Sequence, residues 1–314
     1  MKIEKIGNVE PNAGDVVQLK KTGNIYEVRS MSRTPTMPIK KLDKNNFVEI
    51  KTGEVKEFKH TEKRIDNTAS VAQSLKHMRE YINTNVVTPQ NALFITLTYA
   101  ENMQDTKRLY EDLRKFLMRL KYFIKSNRFP SYEYIVAIEP QARGSWHAHL
   151  LLIFKKKAPF IPTETLSDIW GHGFVKIKSL KNVDNVGAYL SAYLGDMEIN
   201  EAVISDCKNI KGFKTVEDTD EQNKKYSKAI AKGARLKLYP KGFRIFRKSK
   251  GIVPPTVIKC TNTEAMKEIG NCALTYEKTI KISNDSGKTC NIINYRHYNK
   301  MRNGGGVLDS KEKQ

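Results

Sequence analysis

The middle of the chain, from about residue 89 to residue 200, has a regular order of strand-like and helix-like patterns that constrains the fold more than any other feature. Short apolar runs, typical of strands, are separated by stretches in which apolar residues recur every three or four positions, as on one face of a helix. The order is strand, helix, strand, strand, helix, strand, helix. This order predicts an α+β fold with an antiparallel sheet and helices packed on one face of it.

The strands are predicted at about 93–99, 134–138, 147–154 and 174–178, and the helices near 105–124, 163–170 and 183–194. Asp105 is in the position of a residue that caps the first of these helices, because a carboxylate can accept hydrogen bonds from the free N–H groups of a first turn. A sheet and helices in this order are typical of the ferredoxin-like arrangement.

The remaining chain divides into three regions by pattern. Residues 1–88 form a predicted extension with a hairpin around Thr52-Gly53 and a helix carrying Val71, Met78 and Ile82 on one face. Residues 201–302 have weaker patterns and are predicted as a basic DNA-binding region, and residues 303–314 as a disordered tail.

The charge of the chain narrows its partners. Lys and Arg total 55 against 34 Asp and Glu, a formal net charge of +21, which favours a polyanion such as nucleic acid or an anionic membrane surface. No uninterrupted apolar run exceeds five residues, so a membrane span is not expected. No apolar signal core follows the first residues, and the four cysteines are widely spaced. The sequence therefore predicts a cytoplasmic protein that binds nucleic acid.

A candidate metal site lies in the sequence His147-Ala148-His149. On a strand, residues two apart point to the same face, so both imidazoles can bind one divalent ion. Ala148 then points to the helices, with Leu150 and Leu152 on its side. The alternative is a pair of exposed polar residues on an open sheet face.

Glu139, at the end of the preceding strand, is the predicted third ligand, because a hairpin would return its carboxylate to His147. Gln141 is an alternative ligand, and Glu139 could instead pair with Arg143. Two imidazoles and one carboxylate, with open positions, suit Mn²⁺ or Mg²⁺ acting on phosphate oxygens.

Tyr189 and Tyr193 are four residues apart on a predicted helix, so both hydroxyls lie on one face. They are candidate nucleophiles. A phenol titrates near pH ~10 in water, so it needs an activated phosphate to attack. The alternative is an aromatic stripe that packs on the sheet.

Basic residues supply candidate DNA contacts. Lys176 and Lys178 share a face of one strand and could hold a DNA backbone or stabilise transition-state charge, although a solvated strand face is an equal alternative. From Lys224 to Lys250 there are eleven Lys or Arg and no acidic residue, with aromatic residues between them, which favours a DNA clamp over a solvated basic face. The candidates in this run are Lys237, Arg244, Arg247 and Lys248.

These motifs together resemble those of the HUH endonucleases. The strand containing Thr96 and Thr98 is similar to their first motif, His147-Ala148-His149 to their metal-binding motif, and Tyr189 with Tyr193 to their two-tyrosine nucleophile motif. The stretches 139–147 and 170–176 are similar to a narrower group, the rolling-circle replication initiators of plasmids, phages and integrative elements in Gram-positive bacteria. The resemblance covers about residues 47–251.

The resemblance implies an HUH endonuclease core with a bound Mn²⁺ or Mg²⁺ on His147, His149 and Glu139. One tyrosine would attack single-stranded origin DNA to give a 5′-phosphotyrosyl link and a free 3′-OH primer, and the other would serve a second transfer that ends the round. Thr96 and Thr98 would contact DNA or support the site. Which tyrosine acts first, and the oligomeric state, stay open.

Other interpretations compete with this one. Ser286-Gly287-Lys288-Thr289 suggests a phosphate-binding loop, but Ile282 occupies the position of its first glycine, so unwinding would need a host helicase and synthesis a host polymerase. The same chemistry would also suit a relaxase or a single-strand transposase. A non-catalytic module that binds single-stranded nucleic acid is an alternative of another class.

Overall fold

The computed structural model describes residues 2–34, 37–59, 68–141, 144–180, 183–195, 197–198, 213–219, 225–231, 235, 238–240 and 242–303. Within these ranges, the side chains of residues 68–69, 192–193, 195, 197–198, 213–219, 225–231 and 303 are not described. No helix among the described residues is both long enough and apolar enough to cross a membrane.

The secondary structure is α+β, as predicted. The helices are α1 (Thr68–Asn85), α2 (Thr106–Ser126), α3 (Thr163–Trp170), α4 (Val186–Gly195) and α5 (Asn262–Ile269). The strands are β1 (Lys2–Ile6), β2 (Val16–Thr22), β3 (Ile25–Met31), β4 (Ile39–Lys41), β5 (Asn46–Glu49), β6 (Val55–Glu57), β7 (Ala92–Thr98), β8 (Tyr132–Pro140), β9 (Trp146–Phe154), β10 (Val175–Lys178), β11 (Met197–Glu198), β12 (Phe213–Thr219), β13 (Lys225–Ala231), β14 (Phe246–Lys248), β15 (Thr256–Thr261), β16 (Cys272–Ser283) and β17 (Thr289–Asn303).

The described chain divides into two compact units. Residues 2–21, 25–59 and 256–303 form the first, and residues 22–24 and 68–255 belong to the second. This grouping differs from the predicted division into consecutive regions. Strands from the two ends of the chain pair in one sheet, which periodicity along the sequence does not reveal.

The first unit contains a six-stranded sheet in the order β1-β16-β17-β3-β2-β15 and a small sheet in the order β4-β5-β6. The strand pairs β1·β16, β15·β2, β16·β17 and β17·β3 are antiparallel. The hairpin of β5 and β6 is the one predicted around Gly53, which has φ +73°. Thr261 and Glu264 form a capping box that starts α5. The helix α5 and most of β15 to β17 were not predicted.

The second unit is built on a five-stranded antiparallel sheet in the order β10-β7-β9-β8-β14. A smaller sheet has the order β11-β13-β12. From β7 to α4, the elements follow the predicted order. Asp105 caps α2 as expected, since its side chain accepts hydrogen bonds from the N–H groups of Lys107 and Arg108.

The prediction that helices cover only one face of this sheet needs correction. Tyr110 of α2 contacts Arg247 on the face that carries Val136 and Leu150. Tyr81 of α1 contacts Phe246, on the opposite face.

The helix α4 lies on the same side as α1, since the Tyr189 ring contacts Lys178 and the cross-strand pairs place Lys178 on the Phe246 face. The physical reason is visible in β9. Residues 150–154 are apolar at every position and buried, so both faces of the sheet need a covering layer.

Candidate metal and nucleic-acid site

The register of the central strands brings the candidate metal ligands together. On one face of the sheet, Thr98, His147 and Glu139 are direct cross-strand partners across β7, β9 and β8. In the next row along the strands, Thr96 and Ala137 flank His149. Because direct partners in an antiparallel sheet have neighbouring side chains, two consecutive rows form one compact site.

Glu139, His147 and His149 offer ligand atoms that all lie within 4.8 Å of one another. The two imidazole rings have centroids 6.2 Å apart and are nearly perpendicular. This spacing lets three side chains converge on one ion. Gln141, the alternative ligand, donates its backbone N–H to the Ser145 carbonyl and so closes the turn between β8 and β9.

Glu139 is buried, with 6% of its surface exposed. One carboxylate oxygen contacts His149 Nε2, and the other lies 2.6 Å from the Arg235 Nη1 atom. Burial alone would raise the pKa of Glu139, but the charge and hydrogen bond of His149, with the charges of Arg235 and His147, hold that pKa below its ordinary value. The carboxyl group is therefore ionised, as a metal ligand must be.

His149 is oriented by two neighbours. The Thr96 hydroxyl lies 3.1 Å from His149 Nδ1, and the Phe94 ring stacks on the imidazole at a centroid distance of 5.7 Å. Since Nδ1 is held by Thr96, Nε2 is the nitrogen directed at Glu139. Thr96 thus supports the site, one of the two roles predicted for it.

The start of β9 is fixed by Trp146. Its indole N–H donates to the Gln104 carbonyl, its backbone N–H donates to the Met103 carbonyl, and its ring stacks on Phe243 at 4.9 Å. The residue that precedes His147 is therefore anchored to two other segments of the unit, which limits movement of the imidazole.

Tyr189 lies on α4, over the face of the sheet that carries the histidines. Its ring is 5.2 Å from Lys178 Nζ. Lys178 is the cross-strand partner of Phe94, which stacks on His149. The backbone of Tyr193 is in the same helix, as predicted, but its side chain lies outside the described residues.

Two asparagines fix the beginning of α4. The Asn185 side chain accepts from the Ala188 N–H at 3.0 Å, and the buried Asn83 of α1 accepts from the Gly187 N–H at 2.8 Å. Asn83 also donates to Asn185 at 3.0 Å. A Cβ atom on Gly187 would lie 2.5 Å from the Arg79 carbonyl oxygen, so only glycine permits this approach of the two helices.

The predicted DNA contacts fall in different places. Lys176 and Lys178 are exposed on the histidine face, so both are available to a strand that crosses the site. Thr98 is half-buried beside His147. Lys237 lies outside the described residues.

The rest of the predicted DNA contacts lie in or near β14. Arg244 and Arg247 are exposed, and Arg247 stacks on Tyr110 on the opposite face from the histidines. Lys248 is half-buried on the histidine face, where its ammonium group donates to the Ile252 carbonyl and lies over the Tyr81 ring.

The interpretation of the 224–250 segment as a clamp whose aromatic residues stack on bases needs correction. Tyr239 and Phe243 are buried in the hydrophobic core of the second unit, and β14 pairs with β8 as an edge strand of the sheet. Much of this segment therefore completes the five-stranded sheet and its core. The side chain of Tyr226 lies outside the described residues.

Three residues with roles at the site were missed by sequence reasoning. Arg235 pairs with Glu139 across 96 positions of sequence, and Tyr239 donates its hydroxyl to the carbonyls of Ile138 and Leu194, tying α4 to β8. No local pattern indicates such distant contacts. Asn185 was detectable, because an asparagine before an apolar helical run is a typical cap.

Comparison with known proteins gives one match. Residues 92–198, about a third of the chain, match the model of a family of replication-associated proteins described by the name ORF2. No curated protein and no solved structure matches the chain significantly. The family match confirms the resemblance to replication initiators for this segment, and indicates a role in DNA replication and contact with DNA. The segment contains Glu139, both histidines and both tyrosines, whereas Arg235 lies outside it.

Proposed function

We propose that the protein is a rolling-circle replication initiator that nicks single-stranded origin DNA through a tyrosine, and that the five-stranded sheet with its helices is an HUH endonuclease core. The observation that carries this proposal is the convergence of Glu139, His147 and His149 on the face where Tyr189 and exposed lysines also lie. The family match supports the replication role.

The three convergent side chains have the donor set expected for Mn²⁺ or Mg²⁺ at a phosphate. His147, His149 and the ionised Glu139 would hold the ion, which when bound polarises the scissile phosphate. Thr96 on Nδ1 leaves Nε2 of His149 for this role, in the way that neighbouring hydrogen bonds commonly orient metal-binding histidines. Arg235 keeps Glu139 ionised and in place.

The chain's own groups would then carry out the transfer. The Tyr189 oxygen attacks phosphorus, the bond from phosphorus to O3′ breaks, and O3′ leaves as the free primer end. Lys178, close to the Tyr189 ring, stabilises negative charge as the phenol loses its proton, and Lys176 on the same face binds the strand backbone. Tyr193 would perform the second transfer, which closes the displaced strand.

The remaining DNA contacts follow from exposure. Thr98 lies beside the scissile phosphate, and Arg244, Arg247 and Lys237 extend the basic surface along the strand. Lys248 belongs to the same surface through its ammonium group. A host helicase and a host polymerase would open the duplex and extend the 3′-OH.

The proposal is tested with single-stranded oligonucleotides that tile the DNA flanking the gene, incubated with Mn²⁺ and analysed for an adduct that survives SDS. We expect an adduct in the wild type that is lost with EDTA and absent when both Tyr189→Phe and Tyr193→Phe are present. The single variants identify the leading tyrosine.

Two results would separate the alternatives. Clear binding with no adduct on any strand would contradict the nuclease and favour a non-catalytic binding module. An adduct on a transfer origin or a transposon end, but not on a replication origin, would favour a relaxase or a single-strand transposase.

A further inference from the structure

The six-stranded sheet of the first unit is covered by a helix on one face. Val17, Leu19 and Val28 point to this face and pack with Ala265 and Ile269 of α5. Tyr298 joins the same cluster from β17. Because side chains alternate along a strand, the intervening residues point to the other side of the sheet.

The residues of that other side are identified by the register. Lys278, Tyr295 and Arg29 form one row across β16, β17 and β3, and Tyr276, His297 and Glu27 form the next row. Lys5 lies on the same side as the partner of Ile280. We call this surface the open face; its polar and aromatic members are Lys5, Gln18, Lys20, Glu27, Arg29, Lys259, Tyr276, Lys278, Tyr295 and His297.

The open face has a strong positive balance. Its strands contribute five cationic side chains, Lys5, Lys20, Arg29, Lys259 and Lys278, against the single carboxylate of Glu27 among their described residues. None of these cationic side chains belongs to either hydrophobic core of the described structure. Such a balance on a flat surface fits a polyanion.

Aromatic rings lie among these cations. Tyr276 is 45% exposed and its ring lies 5.0 Å from that of His297, while Tyr295 is half-buried between Lys278 and Arg29. Exposed rings on a flat sheet can stack on unpaired bases, whereas the bases of a duplex are already stacked on one another. The combination favours a single strand over a duplex.

We propose that the open face is a second binding surface for single-stranded nucleic acid, with lysines on the phosphates and Tyr276 and Tyr295 against the bases. That the strand is DNA rests on the proposed function. The surface itself is independent of the metal ligands, so its binding is measurable without catalysis.

The test compares two matched pairs of substitutions in the same two strands. Lys5→Gln with Lys278→Gln removes two charges from the open face, and Lys2→Gln with Lys281→Gln removes two charges from the opposite face. Binding of each protein to a labelled 30-nucleotide single strand is measured by fluorescence anisotropy in EDTA over a range of salt concentrations.

We expect the open-face pair to weaken binding roughly tenfold at 0.1 M salt and to reduce the slope of log K against log salt by about 1.4, since each single-strand phosphate contact contributes about 0.7. The opposite-face pair should bind like the wild type. Tyr276→Ala should also weaken binding to the single strand.

Equal effects of the two pairs, or no effect of either, would overturn the inference. Loss confined to a duplex, to an acidic peptide or to anionic vesicles would also overturn it, by assigning the face to another partner. The adduct assay separates this inference from the proposed function. Failure of the adduct with intact open-face binding would reject only the nuclease, and an active nuclease with unaffected binding would reject only this surface.

Discussion

The two large sheets of this protein use charge in opposite ways. In the five-stranded sheet, both faces are covered and the charged groups Glu139 and Arg235 are buried and paired beside two histidines. In the six-stranded sheet, one face holds five cationic side chains, none of which is part of a hydrophobic core of the described structure. Buried, paired charges fix atoms in position, which chemistry needs, whereas exposed charges of one sign supply affinity.

The largest expected effect comes from breaking the buried cluster at a ligand. His149→Ala should lower the rate of adduct formation more than a hundredfold, because several kcal/mol of charge stabilisation by the metal would be lost. The rate is measured from SDS-stable adduct over time. His172→Ala is the matched control, since His172 lies beside Asp112 and not in the cluster. A rate equal to the wild type in His149→Ala would contradict the role of the cluster.

Removal of the paired cation should destabilise the fold. Arg235→Ala leaves the buried Glu139 carboxylate without its guanidinium partner, which typically costs about 3–5 kcal/mol of unfolding free energy. Urea unfolding measures the change. The exposed Arg244→Ala is the control and should stay within about 0.5 kcal/mol of the wild type. A small effect of Arg235→Ala would mean that solvent already screens the pair.

A smaller effect is expected where α1 and α4 meet. Gly187→Ala places a Cβ atom 2.5 Å from the Arg79 carbonyl oxygen, so α4 must shift at a cost of about 1–3 kcal/mol. The shift should also slow adduct formation, because Tyr189 moves with the helix. Ser191→Ala, in the same helix, is the control. Gly187→Ala with wild-type stability and rate would show that the position of α4 is not set by this contact.

The smallest effect concerns a tyrosine in the covered sheet. Burial, with a contribution from Tyr134, raises the pKa of Tyr132 to about 12. A group with a raised pKa in the folded state contributes stability that is complete below pH ~10 and decreases as the pH rises towards 12. Unfolding measured at pH 9 and pH 11 should therefore show a smaller pH-dependent loss in Tyr132→Phe than in the wild type. An equal loss would contradict the shift.

The sequence predicts the five-stranded sheet better than the six-stranded one because neighbouring strands in the former follow one another closely. The order from β7 to α4, the Asp105 cap and the convergence of Glu139 with His147 and His149 all follow from local periodicity and one hairpin. The first unit pairs β1 with β16 and β2 with β15, at separations above 230 residues. No local pattern encodes such pairings.

Burial of the basic segment was also beyond local patterns. Tyr239 and Phe243 stand between cationic residues, which suggests an exposed surface, yet they complete the core beside Trp146. The second helical layer was detectable, because residues 150–154 are apolar without alternation and such a strand is buried on both faces.

The central claim is that Glu139, His147 and His149 hold one divalent ion. It is tested most directly by Mn²⁺ binding, followed by electron paramagnetic resonance, in the wild type, in His147→Ala with His149→Ala, and in His172→Ala. We expect one equivalent of bound Mn²⁺ with nitrogen coupling in the wild type and in His172→Ala, and loss of both signals in the double variant. Stoichiometric binding that survives removal of both histidines would contradict the claim.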